Sequence, residues 1–404
     1  LRALFLNQFF YPDSAATGQL LGDVVDGVEH AAVVCGPSQY AEAHVGRPPA
    51  VRIHRTKPLP FSRSAWLRPA SYGSFLAAAA WLATRLPTPD VVVTLTTPPF
   101  LGLVGTLLRR RGARHFSWEM DLYPDTALQL GYVRNSGAAR ALSALARWYR
   151  LRADGIIVLG DDMKLRLINQ GIPADKIHVC ENWADGREIR PVPFPGGPLH
   201  IYYSGNLGLA HDTATLTAAL LALGSSSPYR FTFAGGGAAR AKLQQFIDRH
   251  HIPGVEFRPY SSRQELGAAL GQGHVCLVTQ KTETLGCLVP SKTYGILAAG
   301  RPLLYIGPSG STVARIIHRY RCGWHIEPGD PGALVKLLEL LNAHRDLVDE
   351  AGARARHAFE LHYDRPHGVD RLRRVLGLEA NADRTAPAAA SATAQPPLHS
   401  PNDC

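Results

Sequence analysis

The sequence predicts an α/β protein built from two doubly wound domains that face each other across a cleft. Three observations carry that reading. Short runs rich in Val, Ile, Leu, Phe and Tyr alternate with longer amphipathic stretches, the pattern of parallel strands joined by crossover helices. The runs VVVTL and GIIVL are apolar almost without interruption, as strands buried on both faces are. Residues 186–198 (GREIRPVPFPGGP) hold four prolines and three glycines with no periodicity, which marks a seam between two units. At roughly 100–200 residues per domain, a chain of 404 residues has room for both.

Taken in order, strands are expected at 3–7, 32–35, 51–54, 90–95, 115–119, 155–159 and 176–181, within a first domain of residues 1–185. After the linker, strands at 200–204, 230–234, 255–258, 274–279, 302–306 and 323–326 build a second domain of residues 199–360. Helical stretches such as 138–150, 238–249 and 331–343 separate them. A last helix near 368–376, within 361–380, could pack on either domain. The segment 381–404 is rich in Ala, Pro and Ser and reads as a disordered tail.

Composition excludes several classes. With 46% hydrophobic and 19% charged residues the chain is globular, not collagen-like or mainly disordered. The best apolar run, FLAAAAWLATRL at 75–86, is shorter than the roughly 20 residues a bilayer needs, and it contains Arg85. The opening LRALFLNQFF lacks the apolar run and cleavage site of a signal peptide and reads as a first strand. Six cysteines have no CxxC and no metal-ligand spacing, so reduced thiols and a cytoplasmic location are expected. A net charge of +10 suits an anionic partner such as a nucleotide or an acidic membrane face. That charge is spread out and no nucleic-acid recognition motif occurs, so no nucleic-acid partner is expected. HExxH, GxSxG and Walker A motifs are absent.

The segment VPSKTYGILAAG at 289–300 is the most informative. Pro290 and Ser291 read as a helix start and Gly300 as a stop. Lys292 then falls in the first turn, where a cation opposes the helix dipole. It makes sense there if an anion sits between them, as at a diphosphate site; the alternative is a surface lysine on a capped helix. A second segment, YSGNLGLAH at 203–211, directly follows the first strand of the second domain. Its glycines let backbone amides approach a ligand, and Asn206 and His211 offer donors, although alone it is only a tight turn. Arg109, Arg110, Arg111 and Arg114 close a helix expected to start near Pro98. The helix at 138–152 adds Arg140, Arg147, Arg150 and Arg152 beside Leu142, Leu145 and Trp148. This basic surface is either a solvated face or a contact for an anionic leaflet.

In shared order, FLNQFFYPDSAATGQL, PDVVVTLTTPPFLGL, FSWEMDLYPDTALQLG, IIVLGDDM, ENWAD, YYSGNLGLAHD, FAGGG and VPSKTYGILAAGRPLL resemble the retaining nucleotide-sugar glycosyltransferases of the GT-B fold, family 4. The likeness is to the bacterial branch that builds O-antigens, capsules and exopolysaccharides, its fucosamine-transferase-like members, and it covers nearly the whole folded chain. It implies two Rossmann-like domains, a UDP- or GDP-sugar donor and a polyprenyl-diphosphate-linked acceptor. It also implies work at the cytoplasmic membrane face, with no cofactor.

Residue by residue, the resemblance puts Gly18 beside the donor phosphates. Asn206 and His211 stand where many members have an Arg and a Lys that grip the diphosphate, with Lys292 supplying part of the missing charge. Gly205, Pro290 and Ser291 line the phosphates, and Gly235, Gly236, Gly237 and the Pro259–Tyr260 loop lie near the nucleoside. The family's two glutamates, eight positions apart, fall on Cys287 and Gly295, neither of which is a carboxylate; Glu283 in the same loop could contact the sugar instead. A family His-Asp pair falls on Met120 and Asp121, leaving only the acid. Asp121, with Glu119 nearby, would orient the acceptor hydroxyl or the donor sugar; a turn aspartate is the alternative reading. Charge develops on the leaving diphosphate, so Lys292 and backbone amides would supply the largest stabilisation. No DxD triplet occurs, which argues against a metal-dependent transferase of the other common fold.

Two other functions remain open. A non-catalytic partner subunit would keep the fold without the acidic pair. A nucleotide-sugar 2-epimerase would need a carboxylate-and-histidine set, and the sequence shows no such cluster.

Overall fold

The computed structural model describes residues 1–13, 15–38, 50–59, 68–224 and 228–378. The tail expected at 381–404 lies outside them, as does Cys404. The first sheet has seven strands: β1 (Ala3–Leu6), β2 (Ala31–Cys35), β3 (Arg52–Arg55), β4 (Val91–Leu95), β5 (Arg114–Glu119), β6 (Gly155–Val158) and β7 (Ile177–Val179). Their order is β3-β2-β1-β4-β5-β6-β7 and every pair is parallel. Phe5 lies in register with Val33 on one side and Val93 on the other. The continuous apolar runs at β4 and β6 are buried at every position, as expected for strands covered on both faces. The second sheet joins β8 (His200–Ser204), β9 (Arg230–Ala234), β10 (Val255–Arg258), β11 (Val275–Thr279), β12 (Leu303–Ile306) and β13 (Gly323–Ile326), in the order β10-β9-β8-β11-β12-β13.

Helices of the first half are α1 (Ala16–Val25), α2 (Arg68–Arg85), α3 (Gly102–Arg109), α4 (Asp125–Gln129), α5 (Gly137–Arg152) and α6 (Asp161–Asn169). Those of the second are α7 (Ala214–Leu223), α8 (Ala238–His250), α9 (Leu266–Gly271), α10 (Lys292–Ala298), α11 (Thr312–Tyr320), α12 (Pro331–Ala343), α13 (Arg345–Ala358) and α14 (Arg365–Leu376). Strand order reverses between β1 and β4 in one sheet and between β8 and β11 in the other. Right-handed crossovers then put α1 on one face of the first sheet and α2, α3, α5 and α6 on the other. The two reversal points are where an open α/β sheet takes its ligand.

The domains are joined by more than the linker. A continuous buried cluster runs from Trp118, Met120 and Leu122 to Val289, Tyr294 and Val313 and on to Leu372. Asp162 accepts from the Thr312 hydroxyl at 2.6 Å, and a Cβ on Gly160 would stand 1.9 Å from that same oxygen. The chain after β11 folds across to the first domain: Asp121 and Leu288 form an antiparallel bridge, and Leu122 N–H donates to the Cys287 carbonyl at 2.8 Å. The last helix, α14, packs on the first domain against α1, where Arg373 donates to the Val24 carbonyl.

Three expectations are corrected. The helix carrying the Arg109–Arg111 run begins at Gly102, after a turn that contains Pro98. Arg150 does not belong to the basic surface; it is 1% exposed, because it pairs inward with a carboxylate. The helix after Ser291 is only the seven residues of α10, so its dipole is short. The five described cysteines are buried free thiols.

Candidate active site

Where the second sheet reverses, β8 ends and Gly205 turns with φ +124°, a conformation that favours glycine. A Cβ there would stand 3.4 Å from Lys292 Nζ, so the bare backbone and the ammonium share one small space. Lys292 Nζ donates to the Tyr203 hydroxyl and lies 3.8 Å from the centre of that ring. Among the described residues no carboxylate comes within ion-pair distance of it. Burial alone pushes this ammonium down to about 7.

Tyr203 is held in turn. Its hydroxyl faces two acceptors, the Asn206 carbonyl at 2.9 Å and His211 Nε2 at 3.3 Å, and gives its one proton to one of them at a time, leaving oxygen lone pairs for Lys292. His211 Nδ1 lies 2.8 Å from the Thr279 carbonyl, an acceptor only, so the ring proton is on Nδ1. Burial, with the Lys292 charge adding, pushes the imidazole down to about 3. His211 is therefore neutral and already committed. The expectation that it offers a donor to a diphosphate is corrected: it backs Tyr203, which sequence reasoning had given no role.

The glycine turn after β9 closes on the same place. A Cβ on Gly235 would lie 2.1 Å from the Gly205 carbonyl, and one on Gly237 would lie 2.4 Å from that of Leu207. Leu207 N–H donates to the Gly236 carbonyl at 2.7 Å. The Tyr260 ring stands over Gly235 and Gly236 and is 59% exposed, a flat face open to a planar ligand. The fold thus gathers Gly205, Asn206, Gly235, Gly236, Tyr260 and Lys292.

The opposite wall carries Asp121, just past the end of β5. Its carboxylate makes no hydrogen bond among the described residues. Burial, with the Glu119 charge adding, pushes it up to about 6. Glu119 does not accompany it. Glu119 is fully buried, accepts from the Ser117 hydroxyl at 2.8 Å and pairs with Arg150 at 3.2 Å, facing α5. A catalytic place for Glu119 is corrected on that ground: the ion pair satisfies it inside the domain. Arg150 also donates to the Tyr123 carbonyl at 2.9 Å, so one guanidinium holds the chain on both sides of Asp121.

The remaining expected residues are spread around this group. Gly18 lies in α1, where a Cβ would stand 3.0 Å from the Phe9 carbonyl, so it packs the helix onto the loop after β1. Glu283 is exposed on a single turn, Thr282–Thr284. Pro290 is buried and Ser291 exposed at the entry to α10. Cys287 is buried with its carbonyl docked on Leu122, and Gly295 faces the Ile189 and Leu270 side chains. No group of three or more His, Cys, Asp or Glu that could hold a metal occurs among the described residues.

Comparison with known proteins agrees with the fold. Residues 24–183 match the family model described as a glycosyl transferase 4-like domain. A Pseudomonas aeruginosa protein assigned provisionally as glycosyltransferase WbjE is 27% identical over 272 residues, 64% of this chain and 67% of that one. An Escherichia coli K12 protein, assigned provisionally as the colanic acid biosynthesis glycosyl transferase WcaI, is 25% identical over 327 residues, 72% of this chain and 79% of its own. Among solved structures, Anabaena HepE in complex with UDP-glucose superposes with a TM-score of 0.71 at 14% identity, covering 93% of this chain and 99% of that one. At that identity the likeness is one of fold. Residues 24–183 thus resemble a glycosyl transferase 4-like domain, in a chain whose two-sheet fold is of the GT-B type.

Proposed function

We propose that this protein is a retaining glycosyltransferase. It moves a hexosyl or N-acetylhexosaminyl group from a UDP- or GDP-sugar to a polyprenyl-diphosphate-linked glycan in the synthesis of a bacterial surface polysaccharide. The observation that carries this reading is Lys292: a part-buried ammonium beside bare backbone at a sheet reversal, with no carboxylate of the described residues within ion-pair distance. A diphosphate supplies the missing charge. The complexes of HepE with UDP and with UDP-glucose support a nucleotide-sugar donor, and the naming of WcaI for colanic acid biosynthesis supports the pathway class.

In this mechanism Lys292 Nζ keeps its hydrogen bond to the Tyr203 hydroxyl, which aims it, and donates a second one to the diphosphate. The backbone around Gly205 and Asn206 approaches the same phosphates, while Tyr260 stacks beside the base over Gly235 and Gly236. As the bond from the sugar to the diphosphate breaks, negative charge gathers on the leaving oxygen, where a fixed cation in a dry site stabilises the transition state most. Asp121 accepts a hydrogen bond from the acceptor hydroxyl or the donor sugar and orients it for attack. No metal ion is required for these roles.

The test is a donor screen with native membranes that carry lipid-linked acceptor, reading UDP or GDP release from wild type, Lys292→Ala and Asp121→Asn. Release that depends on acceptor and collapses in Lys292→Ala supports the transferase. A second reading, a catalytically weakened partner subunit, is favoured by Cys287 and Gly295, which offer no carboxylate where the resemblance expects two. It moves ahead if donors bind and none turns over.

A further inference from the structure

We propose, resting on the transferase reading above, that Gln280 is a positioning residue for the transfer: it shapes the loop after β11 so that Leu288 holds Asp121 in place. Gln280 is the first residue past β11 and is 1% exposed. Its backbone N–H donates to the Ile306 carbonyl at 2.8 Å, which ties it to the second sheet. A carboxamide buried there is costly unless its groups are paired, and both of them are. Oε1 accepts from the Tyr305 hydroxyl at 2.8 Å, while Nε2 donates to the Thr284 carbonyl at 3.2 Å and to the Leu288 carbonyl at 3.5 Å. Carbonyls only accept, so the amide has one orientation. Tyr305 is fixed in its turn, fully buried and stacked on His325 with ring centres 5.7 Å apart.

The two carbonyls open and close the stretch 284–288, so one side chain holds that stretch in a single shape. The stretch then leaves the second domain and lies on the first. Leu288 bridges Asp121, the Cys287 carbonyl accepts from the Thr126 hydroxyl at 3.3 Å, and the Leu285 carbonyl accepts from Arg166 at 3.1 Å. A Cβ on Gly286 would stand 2.7 Å from the Asp162 carbonyl, so the loop meets the first domain without spare room. Packing alone would be served by an apolar side chain of the same shape, with no polar group to desolvate. Three directed hydrogen bonds specify the course of the loop instead. Lys292 does not depend on them, since α10 carries it and Tyr203 holds it. Gln280 therefore governs the carboxylate wall of the cleft and leaves the cation alone.

The test uses the donor and native membranes of the screen above. Gln280→Met keeps the volume and removes the hydrogen bonds. Tyr305→Phe removes only the hydroxyl that orients the amide, and it serves if Gln280→Met does not fold. In Gln280→Met kcat should fall about ten- to a hundredfold, the scale of a small misplacement of a reacting partner, and it should fall less in Tyr305→Phe. Binding of the nucleoside diphosphate should match wild type in both. The acid limb of kcat/KM should move to lower pH, because burial holds Asp121 above the usual carboxylate range and a loosened loop lets water reach it. The charged groups gathered around Asp121 and Cys287 are Glu119 paired with Arg150, Asp125 paired with Arg166, and Asp162. Both substitutions leave all of them in place, so a moved limb reports the cover over Asp121. A loss of folded protein would lower the rate alike at every pH. Variants that turn over like wild type, an equal loss of diphosphate binding, or an unmoved acid limb would each overturn the proposal. Wild type that binds donor and never turns over would overturn the transferase reading, and this inference with it.

Discussion

Lys292 and Asp121, on the walls of the cleft, change protonation near neutral pH, and their charges respond in opposite senses. Lys292 is charged below about 7 and neutral above it; Asp121 is a carboxylate above about 6 and neutral below it. If the transfer needs the ammonium and the carboxylate together, kcat/KM rises through the lower value and falls through the upper one. Asp121→Asn should flatten the acid limb, and Lys292→Arg should remove the alkaline fall, because a guanidinium stays charged. Lys292→Ala should lower kcat/KM about a hundred- to thousandfold, the usual loss when a group aimed at developing charge is deleted. Steady-state rates across pH read all three, and a flat profile would count against the assignment. Tyr203→Phe should raise the donor KM about tenfold, the scale of one hydrogen bond to a charged group, with kcat little changed. The lysine and the glycines were legible because their signals are local, a cation against a helix dipole and φ above zero at a strand end. The division between Glu119 and Asp121 was not. Strand alternation puts both on one face, but β5 stops at Glu119, and the partner that claims Glu119 lies 31 residues away on α5.

At the scale of elements, the Glu119–Arg150 pair pins β5 to α5 and steadies the segment that carries Asp121. Both side chains are 1% exposed, so removing one strands a buried charge. Arg150→Met should cost about 3–5 kcal/mol in urea unfolding. Replacing both partners with apolar residues should cost less than replacing one, and an equal or larger loss in the double variant would show that the pair stabilises in its own right. The strands themselves were readable to within a residue or two, since β-branched runs and turn residues act locally. The antiparallel bridge of Asp121 with Leu288 was not, because it joins segments from different domains. No pattern within either segment encodes that contact.

At the scale of the whole molecule, the alternation of strands and helices and the proline-rich stretch near 190 were enough to read two doubly wound units. How firmly they join was hidden. Residues such as Trp118, Tyr294 and Leu372 each look like core of their own domain, and only the folded chain merges them into one cluster across the boundary. That continuity predicts a single cooperative transition in calorimetry, where independent domains would give two. The central claim, that Lys292 receives a nucleoside diphosphate, is tested most directly by calorimetric titration of UDP and GDP into wild type and Lys292→Ala, with the matching monophosphates as controls. The account predicts tight binding of one diphosphate, proton uptake above neutral pH as the lysine regains its charge, and a loss of at least about tenfold in Lys292→Ala, the scale of one charge-assisted contact. Diphosphate binding that is unchanged in Lys292→Ala, with no proton taken up, would contradict it.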